Sequence, residues 1–416
     1  MPSRYIAPLY TFFANPSAFE TLRAGHPAIW ENGHLHEQAC RWLNEQVVPR
    51  SGSIRTWENK ARALITWFEW CEAIKIDWRD TAADDLAAYR DAYLSAVSPL
   101  TGRPYSPGTV GTRMSAILDF FNFAHEQGWM VDASLSTEQR TAGRAPISRD
   151  MLAHTRKGGA AARMRSIIPR NQTDKVRVLS RNQLDALLKW AGPRVSERTP
   201  ESGGSARDRI AIDLGWAVGL RVREKVSLTI FPFLAMTPDP ASLAHHKLAV
   251  TGKGNKTRQV DVPAWLVVDI QAYIDGARAK ALRTRGRGAR EGQLLLNSET
   301  STNRAGRPMK IPGVTEMMKR ACAGAGLIEQ RARTDPITGH AVVKAAAKFS
   351  DHSLRHTYAV MTWYALLAAG HDEAYAWKYV QHQLGHSQLA TTTDTYLKHV
   401  SVWATPGLTA VIKSVR

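Results

Sequence analysis

The stretch Leu384-Gly385-His386-Ser387-Gln388-Leu389-Ala390-Thr391-Thr392-Thr393-Asp394-Thr395-Tyr396 sets a Leu-Gly-His step ahead of a threonine-rich segment that closes on a tyrosine. Glycine after a run of helix formers stops a helix, so the chain reads as helix end, turn, and a new helix carrying Tyr396. Such a segment can aim a phenol at a phosphodiester held beside a histidine, which makes Tyr396 a candidate nucleophile. Alone, Tyr396 reads first as a half-buried amphipathic side chain in a C-terminal helix. Arg221, Lys253, His352 and Arg355, upstream, decide between the two readings.

The surrounding composition points the same way. The chain has 416 residues, more than a single core usually organises, so two or three domains are expected. Its formal charge of +18 calls for a polyanionic partner, nucleic acid or an anionic membrane surface. There is no apolar run long enough to span a bilayer and the first residues lack a signal peptide's pattern, so a soluble intracellular protein is expected. Three widely spaced cysteines, Cys40, Cys71 and Cys322, argue against a disulfide framework or a cysteine zinc site.

Working back to the N-terminus, residues 1–33 are punctuated by prolines and read as an arm. Residues 34–132 read as a helical domain of four helices. The first places Leu35, Ala39, Trp42 and Leu43 on one face; the second runs Trp57, Ala61, Leu64, Ile65, Phe68 and Cys71; the third covers 82–95; the fourth opens at Ser106-Pro107. Residues 133–178 form a basic linker: between Thr141 and Arg181 ten basic residues face two acidic ones. Arg163, Arg165, Arg170, Lys175 and Arg177 there are candidate phosphate contacts. A second domain, 179–400, opens with the capping-box sequence Ser180-Arg181-Asn182-Gln183. It contains two short strands, 248–250 and 259–262, about a glycine-rich turn, and otherwise helices. Residues 328–348 carry no pattern that places them, and 401–416 form a tail. The fold class is mainly α (α+β).

Cleaving a phosphodiester with a phenol requires neutralising the phosphate, deprotonating the phenol and protonating the departing oxygen. Guanidinium suits the first task because its planar fork meets two oxygens and stays charged. Arg221 follows Gly219-Leu220 and precedes Glu224 by three residues. Lys253 lies in Thr251-Gly252-Lys253-Gly254-Asn255-Lys256-Thr257-Arg258. His352-Ser353-Leu354-Arg355-His356 puts a histidine and an arginine on one helical face. His382 and His386 lack the glutamate of a His-Glu-x-x-His zinc site, so no metal is expected.

In order and local context these residues resemble the tyrosine recombinase (phage integrase) family over about residues 34–400. The resemblance implies a core-binding domain, then a mostly helical catalytic domain with a small antiparallel sheet. It implies that Arg221, Arg355 and His386 hold the scissile phosphate, that Glu224 supports Arg221, and that His352 accepts the phenolic proton. Lys253 would protonate the leaving 5′ oxygen, with Lys256 its alternate and Arg258 a further DNA contact. Tyr396 would form a 3′-phosphotyrosyl link that a second 5′ hydroxyl reseals, with no cofactor. The implied partners are double-stranded DNA with specific sites, a homotetramer on two sites, the tail docked on a neighbouring protomer, and accessory proteins; the setting is a bacterial cytoplasm. A type IB topoisomerase and a non-cleaving DNA-binding regulator are the alternative readings.

Overall fold

The fold comes from a computed structural model that describes residues 5–6, 26–99, 101–130, 167–169, 176–239, 241, 244–252, 255–335, 338–386 and 389–396. The chain forms two compact units, Met1–Asp174 with Arg333–Val342, and Lys175–Ala332 with Val343–Arg416.

In the first unit, β1 (Tyr5–Ile6), β2 (Trp30–Glu31) and β3 (His34–Leu35) make a small antiparallel sheet. Helix α1 (Glu37–Trp42) begins only after it, capped by the His36 Nδ1, which accepts from the Ala39 N–H. Leu35, expected on the apolar face of that helix, therefore lies in β3 and is 45% exposed: the left-handed backbone at Asn32-Gly33 turns the chain before the helix can start. The other helices follow the apolar spacing: α2 (Ile54–Ile74), α3 (Ala83–Ser95) and α4 (Pro107–Glu126). On α2, Trp57, Ala61, Leu64, Ile65, Phe68 and Cys71 are all buried. Edge-to-face contacts of Trp67 with Phe121 and of Phe68 with Phe120 join α2 to α4. Two short strands, β4 (Val97–Ser98) and β5 (Arg103–Pro104), pair between α3 and α4.

The second unit is built around α6 (Ala206–Trp216), which is buried along nearly its whole length. It follows α5 (Arg181–Ala191), whose N-terminus is held by the Ser180 N–H donating to Gln183 Oε1. Next come α7 (Val222–Ser227), α8 (Phe231–Leu234) and the antiparallel pair β6 (His245–Thr251) and β7 (Thr257–Pro263), in register with Leu248 opposite Val260. Helix α9 (Ala264–Tyr273) continues through a π turn into α10 (Ala279–Arg285), and α11 (Ile311–Gly324) follows. The segment 328–348, unplaced by its sequence, is a hairpin of β8 (Ile328–Thr334) and β9 (Ala341–Ala347), with its tip, Arg333–Val342, counted in the first unit. Both strands are largely exposed, and Ile328 and Val343 stand open, so the hairpin has no buried face to write period-two alternation into its sequence. The last helices are α12 (Asp351–Ala368), α13 (Glu373–Leu384) and α14 (Leu389–Tyr396).

Two anchors position these elements. Asp261 on β7 gives its N–H to Gln383 Oε1 (3.0 Å) and accepts from Gln383 Nε2 (2.7 Å) and Tyr379 Oη (2.6 Å), tying the β6/β7 hairpin to the end of α13. Fully buried Lys225 on α7 donates to Ala211 O (2.9 Å) and pairs with Asp351 Oδ1 (2.6 Å) at the start of α12. A Cβ on Gly215 would lie 2.6 Å from that Lys225 Nζ, so glycine on α6 makes room for the pair. Removing one member of a buried pair strands the other charge and costs about 3–5 kcal/mol. Asp351→Ala should therefore lower the unfolding free energy measured in urea by that order, and with it the midpoint, and Lys225→Met/Asp351→Leu should recover most of the loss. An unchanged midpoint in Asp351→Ala would show that the pair does not join the two helices energetically.

Candidate active site

The site grows from one carboxylate. Arg221 caps α7 and donates its backbone N–H to Glu224 Oε2 (2.8 Å), while its Nη1 reaches Oε1 (3.0 Å). Arg258, on β7 just past the glycine-rich turn, places Nη1 and Nη2 on the two Glu224 oxygens (2.7 and 3.0 Å) and Nε on Gln383 O (2.9 Å). Arg355, on α12, sends Nη1 to Gly219 O (2.6 Å) and Nη2 to Leu384 O, with Glu224 Oε2 at 3.9 Å. Both glycine turns are geometrically required. Gly219 (φ +73°) lies where a Cβ would meet the Tyr358 ring at 2.4 Å, and Gly385 (φ +64°) where one would meet Arg258 Cδ at 2.8 Å.

The ionisation states follow from this packing. Burial raises the Glu224 carboxyl, but the hydrogen bonds from Arg258 and the Arg221 N–H outweigh it, leaving it below the usual range and ionised. Arg355 is brought down to about 9 by burial and by the like charge of Arg221, and is still a cation at neutral pH. Desolvation, then Arg355 and Arg221, lower His386 to about 4, so it is neutral. His352 is lowered by desolvation and by Arg355, against the pull of Asp351.

Tyr396 closes the cluster. Its ring is 1% exposed, and burial pushes its phenol up to about 12 against the opposing fields of Arg355 and Arg221. The hydroxyl sits 3.0 Å from His356 Nδ1. The His386 ring lies nearly parallel to the phenol ring, with centroids 6.3 Å apart, and its Nδ1 is 2.9 Å from Thr392 Oγ1. His352 meets His356 edge to face at 4.3 Å. Arg221, His352, Arg355, His386 and Tyr396, far apart in sequence, thus share one cluster with Glu224.

The Phage integrase family model matches residues 177–401. The chain belongs to the phage integrase family. The tyrosine recombinase XerC of Roseiflexus sp. (strain RS-1) is 26% identical over 78% of this chain and 77% of its own length. The tyrosine recombinase XerD of Caulobacter vibrioides is 26% identical over 76% and 77%. In fold the chain is similar to the XerH site-specific recombinase in a post-cleavage complex with a palindromic difH substrate, with TM-score 0.51 and 16% identity over 87% of this chain and 85% of that one. It is likewise similar to the Tn1549 transposon integrase, with TM-score 0.51 and 16% identity over 86% and 94%. Membership of the integrase family makes this chain a tyrosine site-specific recombinase, mainly helical with small antiparallel sheets.

The remaining expected contacts divide three ways. Lys253, Arg163, Arg165, Arg170 and Lys175 lie outside the described residues. Lys256 is exposed. Arg177 donates to Glu329 (2.8 Å) and to Lys348 O (2.6 Å), and Arg258 faces inward onto Glu224, so both guanidiniums have protein partners here. Sequence reasoning missed Arg258 as a support of Glu224, and it quoted His356 without assigning it; position i+4 from His352 was the available signal. Among the described residues no cluster of three His, Cys, Asp or Glu side chains could hold a metal ion, and no helix is long and apolar enough to cross a membrane.

His386 also sets a pH test of folding. Its native pKa of about 4 lies below the ~6.5 of an unfolded imidazole, so the unfolded chain binds more protons between those values. The stability it contributes is complete above about 6.5 and is lost as pH falls toward 4. Since His386→Asn removes the titration, the melting temperature of the wild type relative to this variant should fall between pH 7 and pH 4.5. A constant difference would show that His386 does not titrate abnormally.

Proposed function

We propose that Tyr396 is the nucleophile with which this recombinase cuts and rejoins DNA. The observation that carries the reading is a buried phenol within the fields of Arg355 and Arg221 and in contact with a histidine of the same helix as Arg355. Tyr396 Oη attacks the scissile phosphorus, the bond to the 5′ oxygen breaks, and a 3′-phosphotyrosyl link remains. Arg221 and Arg355 hold the non-bridging oxygens, with His386 alongside. A histidine of α12 takes the phenolic proton. Lys253 protonates the leaving oxygen; the neighbouring Gly252 supports this, since a Cβ there would lie 3.1 Å from Glu224 Oε1 and 3.8 Å from Arg221 Nη1.

The link conserves the phosphoester, so a 5′ hydroxyl from another duplex can reseal it, which suits integration, excision or resolution of a mobile element. The DNA-bound recombinase and integrase among the structural relatives support double-stranded DNA as the partner. Four protomers on two sites, tails 401–416 docked on neighbours, accessory proteins and a cytoplasmic setting complete the proposal. Phosphate contacts from the basic residues of the 133–178 linker would give salt-dependent affinity.

Incubated with a nicked suicide duplex carrying its element's own end sequence, the wild type should give a protein–DNA band that survives SDS. Tyr396→Phe should bind the duplex and give none. A surviving band in Tyr396→Phe would place the nucleophile elsewhere. Lys253→Ala should slow cleavage, and a 5′-thio leaving group, which needs less protonation, should restore it; equal defects on both substrates would remove Lys253 from the acid role.

A further inference from the structure

The phenol faces a problem its surroundings pose. With its pKa pushed up to about 12, Tyr396 cannot ionise unaided at neutral pH, so a base must take its proton as the oxygen attacks. Three histidines stand near it. The His386 ring lies nearly parallel to the phenol ring with centroids 6.3 Å apart, and its Nδ1 is engaged with Thr392 Oγ1. His352, whose side chain has an exposed edge on α12, meets the edge of the His356 ring. His356 places Nδ1 3.0 Å from Tyr396 Oη, within proton-transfer distance. Residues 352, 355 and 356 are at i, i+3 and i+4 on α12, so one helical face carries all three.

We infer that His356 is the catalytic residue that accepts the proton of Tyr396, leaving His352 to face the DNA phosphate. This inference rests on the reading of Tyr396 as nucleophile. In the step, the O–H bond of Tyr396 breaks and its proton bonds to His356 Nδ1. The phenolic oxygen forms the bond to phosphorus, the bond from phosphorus to the 5′ oxygen breaks, and that oxygen takes a proton from Lys253. The same proton on His356 returns to Tyr396 when the link is resealed.

The test compares nucleophile acidity with the base removed. His356→Asn keeps a hydrogen-bonding group near Nδ1 but cannot accept the proton. Cleavage of the nicked duplex should fall by about 10²–10⁴-fold with binding unchanged in a gel shift. Installing 3,5-difluorotyrosine at position 396, a more acidic phenol, should restore most of that loss in His356→Asn, whereas it should change the rate little when His356 is present. A variant cleaving at the wild-type rate overturns the inference. So does a defect that difluorotyrosine leaves untouched, since a residue that only positions the ring would not respond to phenol acidity. If His356→Asn fails to fold, His356→Gln supports the same comparison. No adduct from the wild type itself would instead overturn the nucleophile reading beneath it, a result separable from failure of His356 alone.

Discussion

One buried carboxylate holds the second unit's chemistry in place. Glu224 is 2% exposed and contacts the guanidinium groups of Arg221, Arg258 and, at 3.9 Å, Arg355. Like charges crowded at low dielectric repel strongly, so three such groups can converge only around an anion. Glu224 supplies it, and the hydrogen bonds it accepts keep it ionised despite burial. Arg355 also donates from Nη1 to Gly219 O and from Nη2 to Leu384 O, the carbonyls beside the turns that end α6 and α13. The arginine proposed to hold the phosphate thereby fixes the two turns that present Arg221 and His386.

This dependence explains what could be read from the sequence. The polar residues of the site were legible because each sits in a local context with a physical meaning: Gly219-Leu220-Arg221 after a helix, His352 and Arg355 one helical turn apart, Gly385 as a helix stop before His386. The helices of both units were legible because apolar side chains recur at helical spacing, as on α2. Contacts between distant segments left no such mark. Arg258 reaches Glu224 across 34 residues and Lys225 reaches Asp351 across 126, and no local pattern encodes either partner. The β8/β9 hairpin escaped for the opposite reason, since its strands bury too little to leave a periodic trace.

Burial of Tyr396 sets protection against reactivity. A phenol 1% exposed is shielded from solvent and from stray electrophiles, yet desolvation raises the cost of the phenolate that a nucleophilic role would call for. Arg355 and Arg221 offset part of that cost, because their fields favour the anion. A proton acceptor in contact removes the need for a free phenolate, since the charge appears on oxygen only as the bond to phosphorus forms. Packing that holds the phenol against α12 therefore also sets how it can be activated.

The charge of the cluster matches the demands of the proposed reaction. Arg221, Arg258 and Arg355 carry three positive charges and Glu224 one negative, and three minus one leaves two. His386, lowered to about 4, adds none at neutral pH. A phosphodiester bears a single negative charge, whereas a pentavalent state formed as the phenol attacks gathers a second. A site with two uncompensated positive charges is therefore better satisfied by the transition state than by the bound ground state, and only that difference accelerates the chemical step. Because the guanidiniums are fixed on protein acceptors beforehand, this field is in place before the reaction begins and costs no rearrangement during it. The carboxylate that permits the arginines to assemble also tunes their surplus, for without it they would repel one another apart, and with a second carboxylate the preference for the dianionic state would weaken.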